Sequence, residues 1–117
     1  MSSDKLVIKQ ETVDKILNFR NERNWCQFHN PKDLAISISL EAAELLECFQ
    51  WSGSDTEVTS KLEEMKEELS DIFIYSILLA DRLKINLDEV IQAKIAKNAE
   101  KYPVEKSYGN SSKYTQI

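Results

Sequence analysis

An all-α fold follows from three observations. The 117 residues include only two glycines and two prolines, too few turn formers for a protein built of sheets. Long stretches are made of Leu, Ile, Ala, Glu and Lys, which favour helices. Apolar residues also recur at the helical spacing of about 100° per residue rather than in alternation. The expected architecture is a single four-helix, bundle-like domain over residues 1–105, followed by a polar and flexible tail over 106–117 that carries Gly109 and adjacent serines.

Taken in order, the first helix starts near Thr12 and carries Val13, Ile16, Leu17 and Phe19 to about Arg23. A connecting segment, NWCQFHNPKD, brings Trp25, Phe28 and the single histidine, His29, just ahead of the second helix. Asn30 and Pro31 supply an N-cap and a first-turn residue. The second helix is expected to run to about Trp51, with Gly53 as its terminator and Ser54, Asp55 or Thr56 capping the next. The third helix runs to about Leu83 and is apolar nearly all round from Ile72 to Ala80, which requires cover from its own chain or from another subunit. Asn86 or Asp88 caps a fourth helix, in which Val90, Ile91, Ile95 and Ala99 form the buried side; Pro103 ends it.

Two acidic pairs stand out. Glu41 with Glu44 and Glu68 with Asp71 are each three residues apart, one turn along the same helical face. On the second helix, Ser37, Glu41, Glu44, Cys48 and Trp51 fall at roughly 260 to 340°, between two apolar faces. On the third, Glu64, Glu68, Asp71 and Tyr75 border the apolar stripe. Solvated charge is not usually placed so. Carboxylates that converge in a partly buried site need protons or cations, because like charges a few ångströms apart raise one another's pKa. With oxygen ligands only, and no His or Cys at matching spacing, the site suits Mg²⁺ first and Mn²⁺ second.

Charge and cysteines narrow the setting. The formal charge of −5 argues against a general nucleic-acid binder. It is unevenly spread: residues from Lys94 onward carry +3 and the remainder −8. Cys26 and Cys48 have no CxxC spacing, and no signal peptide is apparent, which fits a reducing cytoplasm. The longest apolar run is short and bracketed by Asp71 and Asp81, so no membrane span is expected.

These residues carry a resemblance. The segments EAAELLECFQW and EELSDIFIY, with Glu41, Glu44, Glu68 and Asp71 as an ExxE then ExxD motif, are similar to those of the MazG-like all-α nucleotide pyrophosphohydrolases, in particular the small single-domain type. WCQFH ahead of the second helix and KIAKNAEKYP near the end match in the same order. The resemblance implies a MazG-type helical fold and Mg²⁺-dependent hydrolysis of a nucleoside triphosphate between the α- and β-phosphates. It implies metal ligation by Glu41, Glu44, Glu68 and Asp71, with Glu44 also taking a proton from the attacking water. It further implies a base pocket made by Trp25, Phe28, His29 and Trp51, and phosphate and sugar contacts from Lys94, Lys97, Asn98, Lys101 and Tyr102. A pyrimidine deoxynucleotide such as dCTP is the expected substrate, in nucleotide-pool house-cleaning. Members of the family are dimers or tetramers, so a homo-oligomer formed through the helices is expected, a tetramer before a dimer.

Two other readings compete. A di-iron carboxylate bundle would need ExxH pairs, which the lone His29 cannot supply. A non-enzymatic helical module docking on a basic partner would need the acids on an open, solvated stripe, whereas the helical period sets them between apolar faces.

Overall fold

The computed structural model describes residues 4–116, and every regular element among them is helical. The described residues fall into two compact units, one ending at Lys84 and the other beginning at Ile85. The first contains helix α1 (Gln10–Glu22), a 3-10 turn at Trp25–Gln27, α2 (Pro31–Glu47), a 3-10 turn at Thr59–Lys61, and α3 (Leu62–Leu83). The α3 helix packs chiefly along α2 and more lightly against α1.

The start of α2 is written in local chemistry. Asn30 Oδ1 accepts the backbone N–H of Asp33 at 2.8 Å and its Nδ2 donates to Asp33 Oδ2 at 2.7 Å. Pro31 occupies the first turn, where its missing N–H costs nothing and its fixed φ suits the helix.

The end of α2 departs from expectation. The helix stops at Glu47, not near Trp51. Residues Cys48 to Trp51 form turns instead, with Trp51 in the left-handed region at φ 66°. The helical arithmetic therefore does not extend to Cys48 and Trp51, and Gly53 lies within the loop rather than terminating the helix. The start of α3 moves later for a related reason. Asp55 does not cap a helix; its Oδ1 accepts the backbone N–H groups of Glu57 and Val58, both at 3.1 Å. These bonds hold Val58 buried at φ 44°, a strained conformation for a β-branched residue. Only after the following 3-10 turn does α3 begin at Leu62.

The buried apolar residues are Leu34, Cys48, Val58, Ile77, Leu78 and Ala80. Much of the remaining apolar surface stays uncovered, including Leu40 and Leu46 on α2 and Phe73 on α3, which are 59%, 70% and 49% exposed. The face of α2 that carries Ile36 and Leu40 is open, so in this chain the acids have packed apolar surface on one side only. Arg20 of α1 is the buried charged residue of the described chain, and its Nη1 donates to Asp81 Oδ2 of α3 at 2.7 Å.

The second unit holds α4 (Leu87–Lys101), α5 (Val104–Ser107) and a 3-10 turn at Tyr114–Gln116. Asn86 caps α4 by accepting the N–H of Glu89 at 3.1 Å. Lys101 ends that helix, and Pro103 starts the short α5. The expected buried side of α4 is not realised: Val90, Ile91 and Ile95 are all exposed, because nothing within this unit covers them. The segment read as a plain polar tail, 106–117, contains the end of α5 and the last 3-10 turn. Tyr114 meets Tyr102 edge-on with centroids 5.9 Å apart, and Lys101 Nζ lies 5.0 Å from the Tyr114 ring centre.

Candidate metal centre and adjoining cavities

Because α2 and α3 pack side by side, their acidic faces meet. Glu41, Glu44 and Glu68 each place a carboxylate oxygen within 4.8 Å of the others. Glu41 and Glu68 are half-buried, whereas Glu44 is exposed. Glu41 Oε2 and Glu68 Oε2 are buried with no hydrogen-bond partner among the described residues.

The cluster strains its own ionisation. Glu41 is pushed up from the usual carboxylate range, first by burial, then by a hydrogen bond with Glu44 and by the charges of Glu44 and Asp71, against a smaller downward effect from Glu68. Glu68 is pushed up to about 7, first by hydrogen bonding with Glu44, then by desolvation, the Glu44 charge and Glu41. Two carboxylates can hydrogen-bond only when one is protonated, so these shifts describe a proton held within the cluster. A cation supplies the same compensation. Unpaired, partly buried carboxylate oxygens in an oxygen-only donor set suit a hard divalent ion, and this cluster has the residues to hold one.

Asp71 stands outside the tight threesome. Its charge acts on Glu41 and Tyr75, and it lines an apolar cavity of about 340 Å³ with Ile16, Phe19, Arg20, Trp25, His29 and Tyr75. On the other side, Glu44 and Glu68 border a polar hollow of about 300 Å³, with Glu47, Cys48, Lys61 and Glu64. The acidic cluster thus shares Asp71's neighbourhood with an apolar cavity and two of its own members with a polar hollow. A molecule with a flat apolar end and a charged end matches that order.

The aromatic residues divide. Trp25 and His29 line the apolar cavity, with Trp25 edge-on to Phe19 at 5.7 Å and to His29 at 6.3 Å. His29 is held below its ordinary pKa by burial and then by the Arg20 charge. Phe28 is 62% exposed and Trp51 92%, and neither borders the two cavities. Lys94, Lys97, Asn98 and Lys101 lie on α4 and Tyr102 at its end, all exposed.

Sequence reasoning passed over Tyr75 and Arg20. Tyr75 lies one turn beyond Asp71 on the acidic strip, and burial followed by the charges of Glu41, Asp71 and Glu44 raises its pKa. The spacing that singled out Asp71 contained that signal, but a tyrosine entering a buried helix reads equally well as core. Glu47 and Glu64 also line the polar hollow.

The model of the MazG-like family matches residues 36–117, a stretch that holds both carboxylate pairs. The chain belongs to the MazG-like family. Among the proteins it resembles, dCTP pyrophosphatase 1 of Mus musculus is 39% identical over 105 residues, covering 85% of this MazG-like chain and 61% of that protein. The dCTP pyrophosphatase 1 of Homo sapiens is 35% identical over 104 residues with the same coverage. The chain therefore spans about 61% of the length of these curated relatives. Among solved structures, a pyrophosphatase from Archaeoglobus fulgidus DSM 4304 is 44% identical and superposes with a TM-score of 0.75, covering 80% of this chain and 91% of its own. The family match and the all-helical fold thus agree. Trp25, Phe28, His29 and the whole of α1 lie ahead of the residues matched by the family model.

Proposed function

We propose that this chain hydrolyses a nucleoside triphosphate between the α- and β-phosphates, giving the monophosphate and pyrophosphate, with dCTP as substrate and Mg²⁺ as cofactor, Mn²⁺ substituting. The observation that carries the reading is the cluster of Glu41, Glu44 and Glu68 set beside an aromatic-lined cavity. The names of the dCTP pyrophosphatase relatives support the choice of substrate. House-cleaning of the nucleotide pool in a reducing cytoplasm fits the free cysteines Cys26 and Cys48. Among the described residues no helix is long and apolar enough to cross a membrane.

In this mechanism Glu41, Glu44, Glu68 and Asp71 hold the divalent ions. When bound, such ions offset the roughly four negative charges of a triphosphate, polarise the α-phosphoryl group and acidify an attacking water. Trp25 and Tyr75 hold the base in the apolar cavity and exclude solvent from that end. Glu44, the exposed member of the cluster, is assigned the role of taking the water's proton. Lys94, Lys97, Asn98, Lys101 and Tyr102 are assigned the phosphate and sugar contacts by resemblance and by the positive charge of the C-terminal stretch.

Binding and chemistry separate in mutant kinetics. Trp25→Ala is expected to raise KM about tenfold with a smaller fall in kcat, the loss of one stacking contact. An unchanged KM would contradict the cavity as the base site. The same measurement on Trp51→Ala tests stacking by Trp51, and on Lys97→Ala the phosphate contact.

Leu40, Leu46 and Phe73 leave more apolar surface open than a lone chain of this size usually tolerates. We propose a homo-oligomer built through these helices, a tetramer before a dimer. Light scattering on the purified protein is expected to give four times the single-chain mass of 13.5 kDa; a monomer at micromolar concentration would contradict it.

A further inference from the structure

Arg20 is unexplained by the metal centre. It is 8% exposed, and it stands in the wall of the apolar cavity with Trp25, His29 and Tyr75. Its ion pair does not account for that position. The Asp81 side chain is 42% exposed while that of Arg20 is 9%, and an arginine serving only a surface pair would carry its head outward to water. The guanidinium has five N–H donors and no acceptor. Nη1 donates to Asp81 Oδ2 at 2.7 Å and Nε to Asn21 Oδ1 at 3.0 Å, and neither bond uses Nη2 or the second proton of Nη1. In the same cavity, His29 Nδ1 is buried with no partner among the described residues. Burial and the nearby Arg20 charge favour the neutral ring, which carries one nitrogen lone pair. The cavity wall therefore carries unspent donors on Arg20 beside His29, in a lining that is largely apolar but also includes Thr12, Lys15 and Asp71.

We propose that Arg20 is the residue that sets base preference, donating to the adjacent N3 and O2 acceptors of a cytosine ring held in the cavity. The inference deepens the nucleotide reading above and rests on it. Cytosine offers two adjacent acceptors, O2 and N3, along its pairing edge, which match the fork of the guanidinium. Thymine and uracil carry N3–H, a donor that faces the guanidinium donors and leaves both sides unpaired. A buried site built to hydrogen-bond one edge rejects an analogue that lacks it far more strongly than an apolar pocket rejects a change of size. Arg20 lies ahead of the residues matched by the family model.

The test compares kcat/KM for dCTP and for dTTP in the full chain with Mg²⁺, for the unmodified protein, Arg20→Met and Arg20→Lys. The methionine keeps the apolar stem and removes every donor. The lysine keeps a charge for Asp81 but not the planar fork, and it carries the test if the methionine variant does not fold. The dCTP-to-dTTP ratio is expected to fall at least tenfold in the folded variants, through a raised KM for dCTP. A ratio that stays constant, with both substrates slowed alike, would overturn the proposal and leave Arg20 as a structural partner of Asp81. An unmodified protein with no preference for dCTP over dTTP would overturn it as well. Absence of turnover of any nucleotide by the unmodified protein would instead remove the nucleotide reading, and this inference with it.

Discussion

Glu41→Gln is expected to lower kcat on the order of 10³-fold or more while leaving the helical content unchanged. The substitution keeps the shape of the side chain and removes one anionic oxygen from a cluster in which three carboxylates lie within 4.8 Å. Divalent binding weakens because the donor set loses charge, and the ion's electrostatic contribution is lost in the transition state, where the phosphoryl oxygens carry most negative charge. The metal-free protein should not suffer. Burial and the neighbouring Glu44 and Asp71 raise the Glu41 pKa and so disfavour its charged form, and a neutral amide relieves repulsion that the wild-type cluster carries. A variant with full activity would contradict the metal assignment. A variant that melts well below the wild type without metal would show instead that Glu41 is needed for the fold. Asp71→Asn is expected to act in the same direction, but its position outside the tight cluster predicts the smaller loss.

Mg²⁺ at about 100 times its dissociation constant is expected to add about 2.7 kcal/mol to stability at pH 8, a rise of roughly 10 °C in Tm for a domain of this size. At pH 5 the rise should nearly vanish. The cause is Glu68, whose pKa stands near 7 in the folded cluster against 4.5 as its ordinary value. Between those two values the folded state holds a proton that the unfolded chain has released. Stability without metal therefore falls as pH rises from about 4.5 to about 7, and is not regained above that. Below 4.5 both states are protonated and the group contributes no difference. A divalent ion replaces the proton, so its binding strengthens over the same interval in which the metal-free protein weakens. Thermal melts from pH 5 to pH 8, with and without Mg²⁺, check both halves. An Mg²⁺ effect independent of pH would contradict a proton shared within the cluster, and no effect at pH 8 would fit a solvated acidic stripe on a partner-binding module.

What could be read from the sequence was what depends on neighbours a turn away. Asn30 and Pro31 announced the start of α2, and Asn86 that of α4, because capping is a bond to the third residue along. The pairing of Glu41 with Glu44 was legible for the same reason, being fixed by helical pitch alone. The end of α2 at Glu47 was not, since the chain leaves the helix without a glycine or proline at that point and turns left-handed at Trp51 and Val58, residue types that give no warning. Which member of the second pair joins the cluster depends on how α3 rolls against α2, and only packing selects Glu68 over Asp71. The Arg20–Asp81 contact joins residues 61 apart in sequence and leaves no trace in any local pattern. The apolar side of α4 was correctly recognised as apolar, but periodicity tells that a face wants cover and not whether its own chain supplies it.

Hydrolysis at the α-phosphorus is checked by incubating the protein with Mg²⁺ and a panel of nucleoside triphosphates and resolving the products. Monophosphate and pyrophosphate, with dCTP turned over fastest, is the expected result. Phosphate and diphosphate, or no turnover with either Mg²⁺ or Mn²⁺, would contradict it.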